Sequence, residues 1–186
     1  MRRLFSFSQV VMQYRVRPML ASDVDGILDA QTLAYPDFLL ESAEFFLNRL
    51  ALAPAYCWVA RANADDTLLG YLISYPWDAG LPPALDVALA ALPPQADHWF
   101  LHDCAVVPSA QGLRVGQTLL RTAAGGAMEN GLRRASLVSL ETAVGYWLRH
   151  GYQPVGGDGE SLPAELAEKL AGYGPQASYM SRAFPL

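Results

Sequence analysis

The stretch Asp103-Cys104-Ala105-Val106-Val107-Pro108 runs almost directly into Gln111-Gly112-Leu113-Arg114-Val115-Gly116 and then Gln117-Thr118-Leu119-Leu120. The apolar run from Trp99 to Val107 predicts a buried strand, and the residues after the turn predict a helix. A helix entered through a tight polar turn starts with backbone N–H groups that have no acceptor of their own. Together with the positive end of the helix, these groups suit phosphate oxygens. The segment therefore demands a fold in which strand, turn and helix stay adjacent, and it points to a phosphate-bearing ligand.

The flanking sequence supplies the rest of an α/β domain. Residues 12–17 alternate as a strand. Ser22 or Asp23 caps a helix that directs Val24, Ile27, Leu28 and Leu33 to a core before Pro36. Phe38–Leu52 predicts a second helix, packing through Phe45, Leu47 and Leu50. Tyr56–Ala62 and Leu68–Tyr75 predict strands around the turn Asn63-Ala64-Asp65-Asp66. Residues 76–98 hold five prolines and form an excursion with a short helix at Ala84–Leu92, placed as a lid or substrate-binding segment. After the central helix, which Gly131 stops, a strand at Ala135–Leu140, a helix at Ala143–His150 and a strand from Tyr152 follow. A second excursion at 156–174 carries a helix around Pro163–Leu170, and Gln176–Phe184 returns as a last strand. No repeat or linker divides residues 1–186, whose core spans about 14–184.

Hydrophobic residues at 52 % and charged residues at 17 % suit one folded domain and exclude disorder. A net charge of −5 gives nucleic acid no general attraction, although Arg114, Arg121, Arg133 and Arg134 gather near the turn and its helix. Cys57 and Cys104 read as buried free thiols, and two cysteines with three histidines lack the ligand spacing of a zinc signature. Ser6, Ser8 and Gln9 break the apolar stretch that a secretory leader needs after Met1-Arg2-Arg3. With no apolar run of membrane-spanning length, the expectation is a cytoplasmic protein without a membrane partner.

The order of elements, with the turn and the later run Ala143…Tyr146-Trp147-Leu148-Arg149-His150-Gly151-Tyr152, resembles the GNAT superfamily of N-acetyltransferases over nearly the whole chain. Gln111 and Gly116 match the first and last positions of that family's cofactor loop, and Gly112 matches a further glycine common in it. Arg114 replaces the central glycine. The resemblance implies a mixed, mostly antiparallel twisted sheet flanked by helices, with acetyl-CoA or another acyl-CoA as cofactor. Cys104, Ala105, Val106 and Val107 would run beside the pantetheine arm. Gln111, Gly112, Leu113, Arg114, Val115, Gly116 and Gln117 would surround the pyrophosphate, with Trp147 near the thioester. Arginine lacks glycine's freedom at positive φ. Its side chain either points outward to a CoA phosphate, obstructs the site, or is a neutral surface group.

The resemblance implies acyl transfer to the amine of a small molecule or peptide, by direct attack on the thioester. Trp147 stands where many members carry an acidic tyrosine, and Leu140 where they carry an asparagine; indole cannot replace phenol as an acid. Tyr146, beside it, is expected to pack in the core. His102 is a candidate base or a structural histidine, with Asp103 and Glu141 as further catalytic candidates. Simple alternation sets His102, Cys104 and Val106 on one strand face, and Leu101, Asp103 and Ala105 on the other. Tyr35, Phe38 and Trp77 are the expected acceptor-binding aromatics. The competing reading is a noncatalytic acyl-CoA-binding or sensor protein. A homodimer is compatible with the family, and no sequence feature fixes an interface.

Overall fold

Strand alternation and helix periodicity resolve into one seven-stranded sheet in the order β1-β2-β3-β4-β5-β7-β6. The computed structural model describes residues 13–156 and 162–185. The strands are β1 (Tyr14–Pro18), β2 (Cys57–Ala62), β3 (Leu68–Trp77), β4 (His98–Val106), β5 (Arg134–Ser139), β6 (Gln153–Pro154) and β7 (Ser178–Ala183). The helices are α1 (Val24–Ala34), α2 (Ala43–Leu52), α3 (Val115–Glu129), α4 (Val144–Arg149) and α5 (Ala164–Ala171). Only β4 and β5 pair in parallel; all other neighbours are antiparallel. The expected mixed, mostly antiparallel sheet flanked by helices is the observed fold. The leader argument rests on residues 1–12 and part of the second excursion on 157–161, all outside the described residues.

Each sheet face buries its own core. Phe45, Phe46, Ile27, Tyr71 and Tyr75 pack with α1 and α2 on one face, while Trp99, Leu101, Leu72 and Leu119 pack with α3 on the other. Each large side chain so buried contributes about 1.5–3 kcal/mol. Ser42 Oγ caps α2, accepting the Phe45 N–H at 3.3 Å, whereas Asp23 does not cap α1 but accepts the Leu20 N–H at 2.8 Å in the short turn that leads into it. Helix phase differs from expectation at Leu33, which is 62 % exposed, because the buried stripe of α1 runs through Val24, Ile27, Ala30 and Gln31. In α2 the stripe is Phe45, Phe46 and Arg49, so Leu47 faces solvent.

The first excursion is shorter than residues 76–98 suggest and holds no helix. Pro76 and Trp77 extend β3, paired with Trp99 and His98. Pairing of β2 with β3 ends at Cys57↔Ile73, so the missing N–H of Pro76 costs no ladder bond on that side. Asp86 takes φ +50°, which interrupts the expected helix at Ala84–Leu92. Asn48 pins the segment by accepting the Leu89 N–H and donating to the Leu89 carbonyl, each at 3.0 Å. Arg49, fully buried between the Phe45 and Tyr75 rings, donates to the Val87 carbonyl at 2.8 Å. Asn48→Ala leaves both Leu89 groups without these partners. It is expected to destabilise the protein by about 1–3 kcal/mol, with amide exchange accelerated selectively over residues 84–92.

Two irregularities shape the centre of the sheet. Gly70 lies so close to β4 that an added Cβ would stand 2.7 Å from the Ala105 carbonyl oxygen, an approach open only to glycine. The register of β3 on β4 jumps from Ile73↔Asp103 to Ser74↔Leu101, leaving His102 as the extra residue of a bulge. That residue breaks the alternation. His102 and Asp103 consequently share the face that looks toward α1 and α2, whereas simple alternation placed them on opposite faces.

Candidate active site

β4 and β5 separate at the site. Their pairing runs from His98↔Arg134 to Leu101↔Leu137 and then stops, although β4 continues to Val106 and β5 to Ser139. The edge of β4 beyond Leu101 is bonded to β3 but has no strand partner on the β5 side. Its backbone groups are therefore available to an extended ligand, as at any open sheet edge. A pocket of about 150 Å³ lies at the split, with His102, Asp103, Tyr35 and Glu41 as its polar lining. Leu39, Leu85, Leu137, Leu140, Trp147 and Tyr173 supply most of its apolar lining, and among the described residues no arginine or lysine lines it.

Glu41 is the residue that the sequence did not single out. Gln31 clamps its backbone from α1, donating to the Glu41 carbonyl at 2.6 Å and accepting its N–H at 2.9 Å. Glu41 Oε1 lies 2.8 Å from His102 Nε2 and accepts the Asp86 N–H at 3.1 Å. Nδ1 of His102 lies 2.7 Å from the Tyr75 hydroxyl. A ring protonated on Nε2 satisfies both contacts, donating to Glu41 and accepting from Tyr75. The side chains are almost fully enclosed, 1 % exposed at His102 and 3 % at Glu41. Among the described residues Glu41 Oε2 has no hydrogen bond, yet it is not a sealed, orphaned atom. It is the carboxylate oxygen free to meet something in the pocket.

Asp103 is held differently. Tyr35 and Tyr71 donate to its two oxygens at 2.6 and 2.5 Å. Burial pushes this carboxyl above its usual range, against the downward pull of those two hydroxyls. Both tyrosines are in turn raised well above the usual phenol value, first by burial and then by the Asp103 charge. Because the folded-state value exceeds the unfolded one, the stability tied to the neutral carboxyl is complete below about pH 4 and is lost as pH rises through the folded value. Urea denaturation from pH 4 to 7 is expected to show Asp103→Asn gaining on the wild type as pH rises. The Cys104 thiol is pushed up to about 12 by burial and by Asp103, which makes it a poor nucleophile.

The turn expected to accept phosphate enters α3 through two left-handed residues, Gly112 at φ +82° and Arg114 at φ +62°. Arg114 is the residue immediately preceding the helix, and the N–H groups of Val115, Gly116 and Gln117 follow it at the helix start. Tyr14 braces the turn, donating to the Leu113 carbonyl at 3.3 Å and meeting Thr118 Oγ1 at 2.8 Å. Beside it, a cavity of about 590 Å³ between α3 and α4 is lined by Gln117, Arg121, Trp147, Arg149, His150 and Arg182, among others. Tyr146 lines this cavity as well, half-buried rather than in the core. The buried Tyr152 hydroxyl, also at this cavity, has no hydrogen-bond partner among the described residues.

A model of the acetyltransferase (GNAT) family matches residues 24–152, from the start of α1 through the strand split, the turn and α4. The chain belongs to this family. A comparison with curated proteins finds no match. Among solved structures, the GphF GNAT-like decarboxylase in complex with isobutyryl-CoA superposes with a TM-score of 0.69 at 20 % identity, covering 91 % of this chain and 98 % of the other. The loading GNATL domain of CurA from Lyngbya majuscula gives 0.69 at 13 % identity, with 91 % and 96 % covered. Ard1 from Thermoplasma volcanium gives 0.66 at 10 % identity, with 93 % and 99 % covered. At these identities the likeness is one of fold.

Within the GNAT frame, the residues singled out from sequence are only partly brought together. His102, Asp103, Cys104, Tyr35 and Trp147 line the inner pocket, and Trp147 also lines the cavity beside α3. Glu141 lies on the exposed turn before α4 and outside the pocket lining, although its neighbours Leu140 and Ala143 reach the pocket. Phe38 is 64 % exposed on a short turn between α1 and α2 and lies outside the inner pocket. Trp77 is tied up as well, donating from its indole to the Leu81 carbonyl at 3.0 Å and packing on Tyr75. Glu41, Tyr71, Tyr75 and Tyr173 were missed. A lone glutamate in a loop and tyrosines within apolar strands carry no motif, and the bulge at His102 that recruits them has no signature in the letters.

Proposed function

We propose that this protein is an acyl-CoA-dependent N-acyltransferase that transfers an acyl group, with acetyl the simplest candidate, to the amine of a small molecule. The observation that carries this reading is the inner pocket at the strand split. It presents two carboxylates, Glu41 and Asp103, and, among the described residues, no arginine or lysine. That lining favours a cationic acceptor and leaves an anionic acyl chain without a counter-charge.

The residues present fit a CoA ligand. Unpaired N–H groups at the start of α3 suit a pyrophosphate, and the Arg121, Arg149, His150 and Arg182 side chains suit the remaining phosphate. The open edge of β4 from His102 to Val106 suits an amide-bearing arm. When bound, acyl-CoA supplies an activated thioester carbonyl for attack by a neutral amine. Glu41, through Oε2, accepts the proton of the incoming ammonium. His102 and the Asp86 N–H fix the other carboxylate oxygen, so that Glu41 is oriented before the acceptor arrives. Tyr75 holds the imidazole from behind. Asp103, with its oxygens engaged by Tyr35 and Tyr71, sets the electrostatic character of the pocket rather than moving a proton.

Trp147 favours a second reading, in which the fold binds acyl-CoA without catalysis, since indole cannot protonate a thiolate. Calorimetry with acetyl-CoA and thiol-release assays over an amine panel separate the two. The enzyme reading expects binding and release of CoA thiol in step with acylated amine. Tight binding with no transfer to any amine would overturn it in favour of the second.

Arg114 bears on affinity. A non-glycine residue in the left-handed region costs about 1–2 kcal/mol, and its exposed guanidinium makes no hydrogen bond among the described residues. Arg114→Gly is expected to stabilise the free protein by up to about 1 kcal/mol, after glycine's greater unfolded-state entropy is subtracted. It is also expected to weaken CoA binding several-fold, by removing a charge beside the phosphate turn. Thermal melts and calorimetry on the same preparations check both signs.

A further inference from the structure

Leu85 and Tyr173 each line two cavities. On one side lies the inner pocket of about 150 Å³ with Glu41 and His102. On the other lies an open basin of about 740 Å³ between the first excursion and α5, whose lining includes Phe38, Asp86 and Glu168. Leu85 comes from the excursion at 78–97 and Tyr173 from the end of α5, so neither belongs to the sheet that builds the pocket floor. The two segments are joined: the buried Tyr173 hydroxyl donates to the Pro83 carbonyl at 2.8 Å. Asn48, Arg49, Ser42 and Glu41 hold the rest of the excursion against α2 through Leu89, Val87 and Asp86.

We infer, on the acyltransfer reading above, that Leu85 and Tyr173 form the end wall of the acceptor pocket and restrict the acceptor to a compact monoamine with an apolar body. A cavity of about 150 Å³ holds a body the size of benzene. Beyond the carboxylates the lining is leucine-rich, so one ammonium group finds Glu41 while a second would meet only Asp103, whose two oxygens Tyr35 and Tyr71 already engage. A polyamine or a peptide N-terminus requires the wall to open into the basin. Tyr173 and Leu85 act on specificity by volume. The bond to Pro83 satisfies the buried tyrosine hydroxyl, while the volume of the ring itself forms the wall.

The test is a chain-length series of primary n-alkylamines from three to ten carbons, with benzylamine and spermidine, assayed for acetyl transfer and for binding to the CoA-loaded protein by calorimetry. Wild type is expected to lose about tenfold or more in kcat/KM and in affinity once the amine outgrows benzylamine. Tyr173→Ala and Leu85→Ala are expected to raise the long-to-short ratio by about tenfold, whereas Tyr173→Phe, which keeps the ring, retains the wild-type profile. Leu85→Ala, on the excursion rather than in the core, stands in if Tyr173→Ala fails to fold. Transfer with a flat length profile, or a ratio unmoved in the folded variants, overturns the wall and leaves the acyltransfer reading intact. Size-selective binding without transfer overturns the chemistry and leaves the wall, and neither binding nor transfer of any amine overturns both.

Discussion

Glu41→Gln is expected to lower kcat/KM for acyl transfer by about 10²- to 10⁴-fold while leaving CoA affinity and the fold intact. The substitution keeps the shape of the site. A glutamine carbonyl still accepts from His102 Nε2 and from the Asp86 N–H, and the backbone clamp from Gln31 is untouched. What disappears is the charge and the free basic oxygen, so a loss of rate with unchanged stability isolates the proton-accepting role. If Glu41 only anchors His102, the glutamine variant retains wild-type turnover. Glu41→Ala is the harsher control, since it strips His102 Nε2 of its acceptor in a sealed environment and should also cost about 1–3 kcal/mol of stability. Asp103→Asn should reduce the rate far less than Glu41→Gln, because both Asp103 oxygens already face tyrosine hydroxyls.

The largest stability effect is expected at Asp23, far from the pocket. This carboxylate is fully buried, and Arg17 grips it with two bonds of 2.8 Å. Arg61 adds bonds of 2.9 and 2.7 Å, and the Leu20 N–H adds a further one, so β1, β2 and the start of α1 meet on a single side chain. Breaking a buried ion pair by removing one partner costs about 3–5 kcal/mol. Asp23→Ala should fall at the low end of that range, about 3 kcal/mol, because Arg17 and Arg61 retain some solvent access. Burial alone would raise the Asp23 carboxyl, but the bonds from Arg17, Leu20 and Arg61 outweigh it and hold the group below its usual range. The stability it contributes is therefore complete above the unfolded value near pH 4 and is lost as pH falls through the lower folded value. Chemical denaturation should show the wild type weakening below about pH 4 and Asp23→Ala lacking that component. Equal stability of the two proteins at neutral pH would contradict this account.

Much of the fold is legible in the letters because it rests on local patterns. Gly131 ends α3, and the apolar run around Phe100 gives a strand followed by a polar turn and a helix. The same kind of pattern marks Gln111, Gly112 and Gly116, so the turn that leads into α3 can be located without coordinates. The interior of the pocket is not written that way. One inserted residue in the register of β3 on β4 turns His102 onto the face of Asp103, and alternation carries no trace of it. Glu41 reaches His102 across 61 positions of sequence, held by an amide from α1, and Tyr173 reaches Pro83 across 90. The first excursion reads as a helix from Ala84 to Leu92, yet hydrogen bonds from α2 hold it in irregular form. Glu141 and Trp77 look suitable by type and sequence position, but Glu141 is exposed on the turn before α4 and the Trp77 indole is bonded to the Leu81 carbonyl.

The central claim is that the split between β4 and β5 joins an acyl-CoA to an amine held by Glu41. A crystal structure with a bisubstrate conjugate, in which the acetyl carbon links CoA sulfur to the nitrogen of a compact amine, tests it most directly. The account predicts the pyrophosphate on the N–H groups of Val115, Gly116 and Gln117, the pantetheine arm along His102–Val106, and the amine nitrogen within hydrogen-bonding distance of Glu41 Oε2. A conjugate bound with its amine outside the inner pocket, or turned to Asp103 with Glu41 uninvolved, would contradict it.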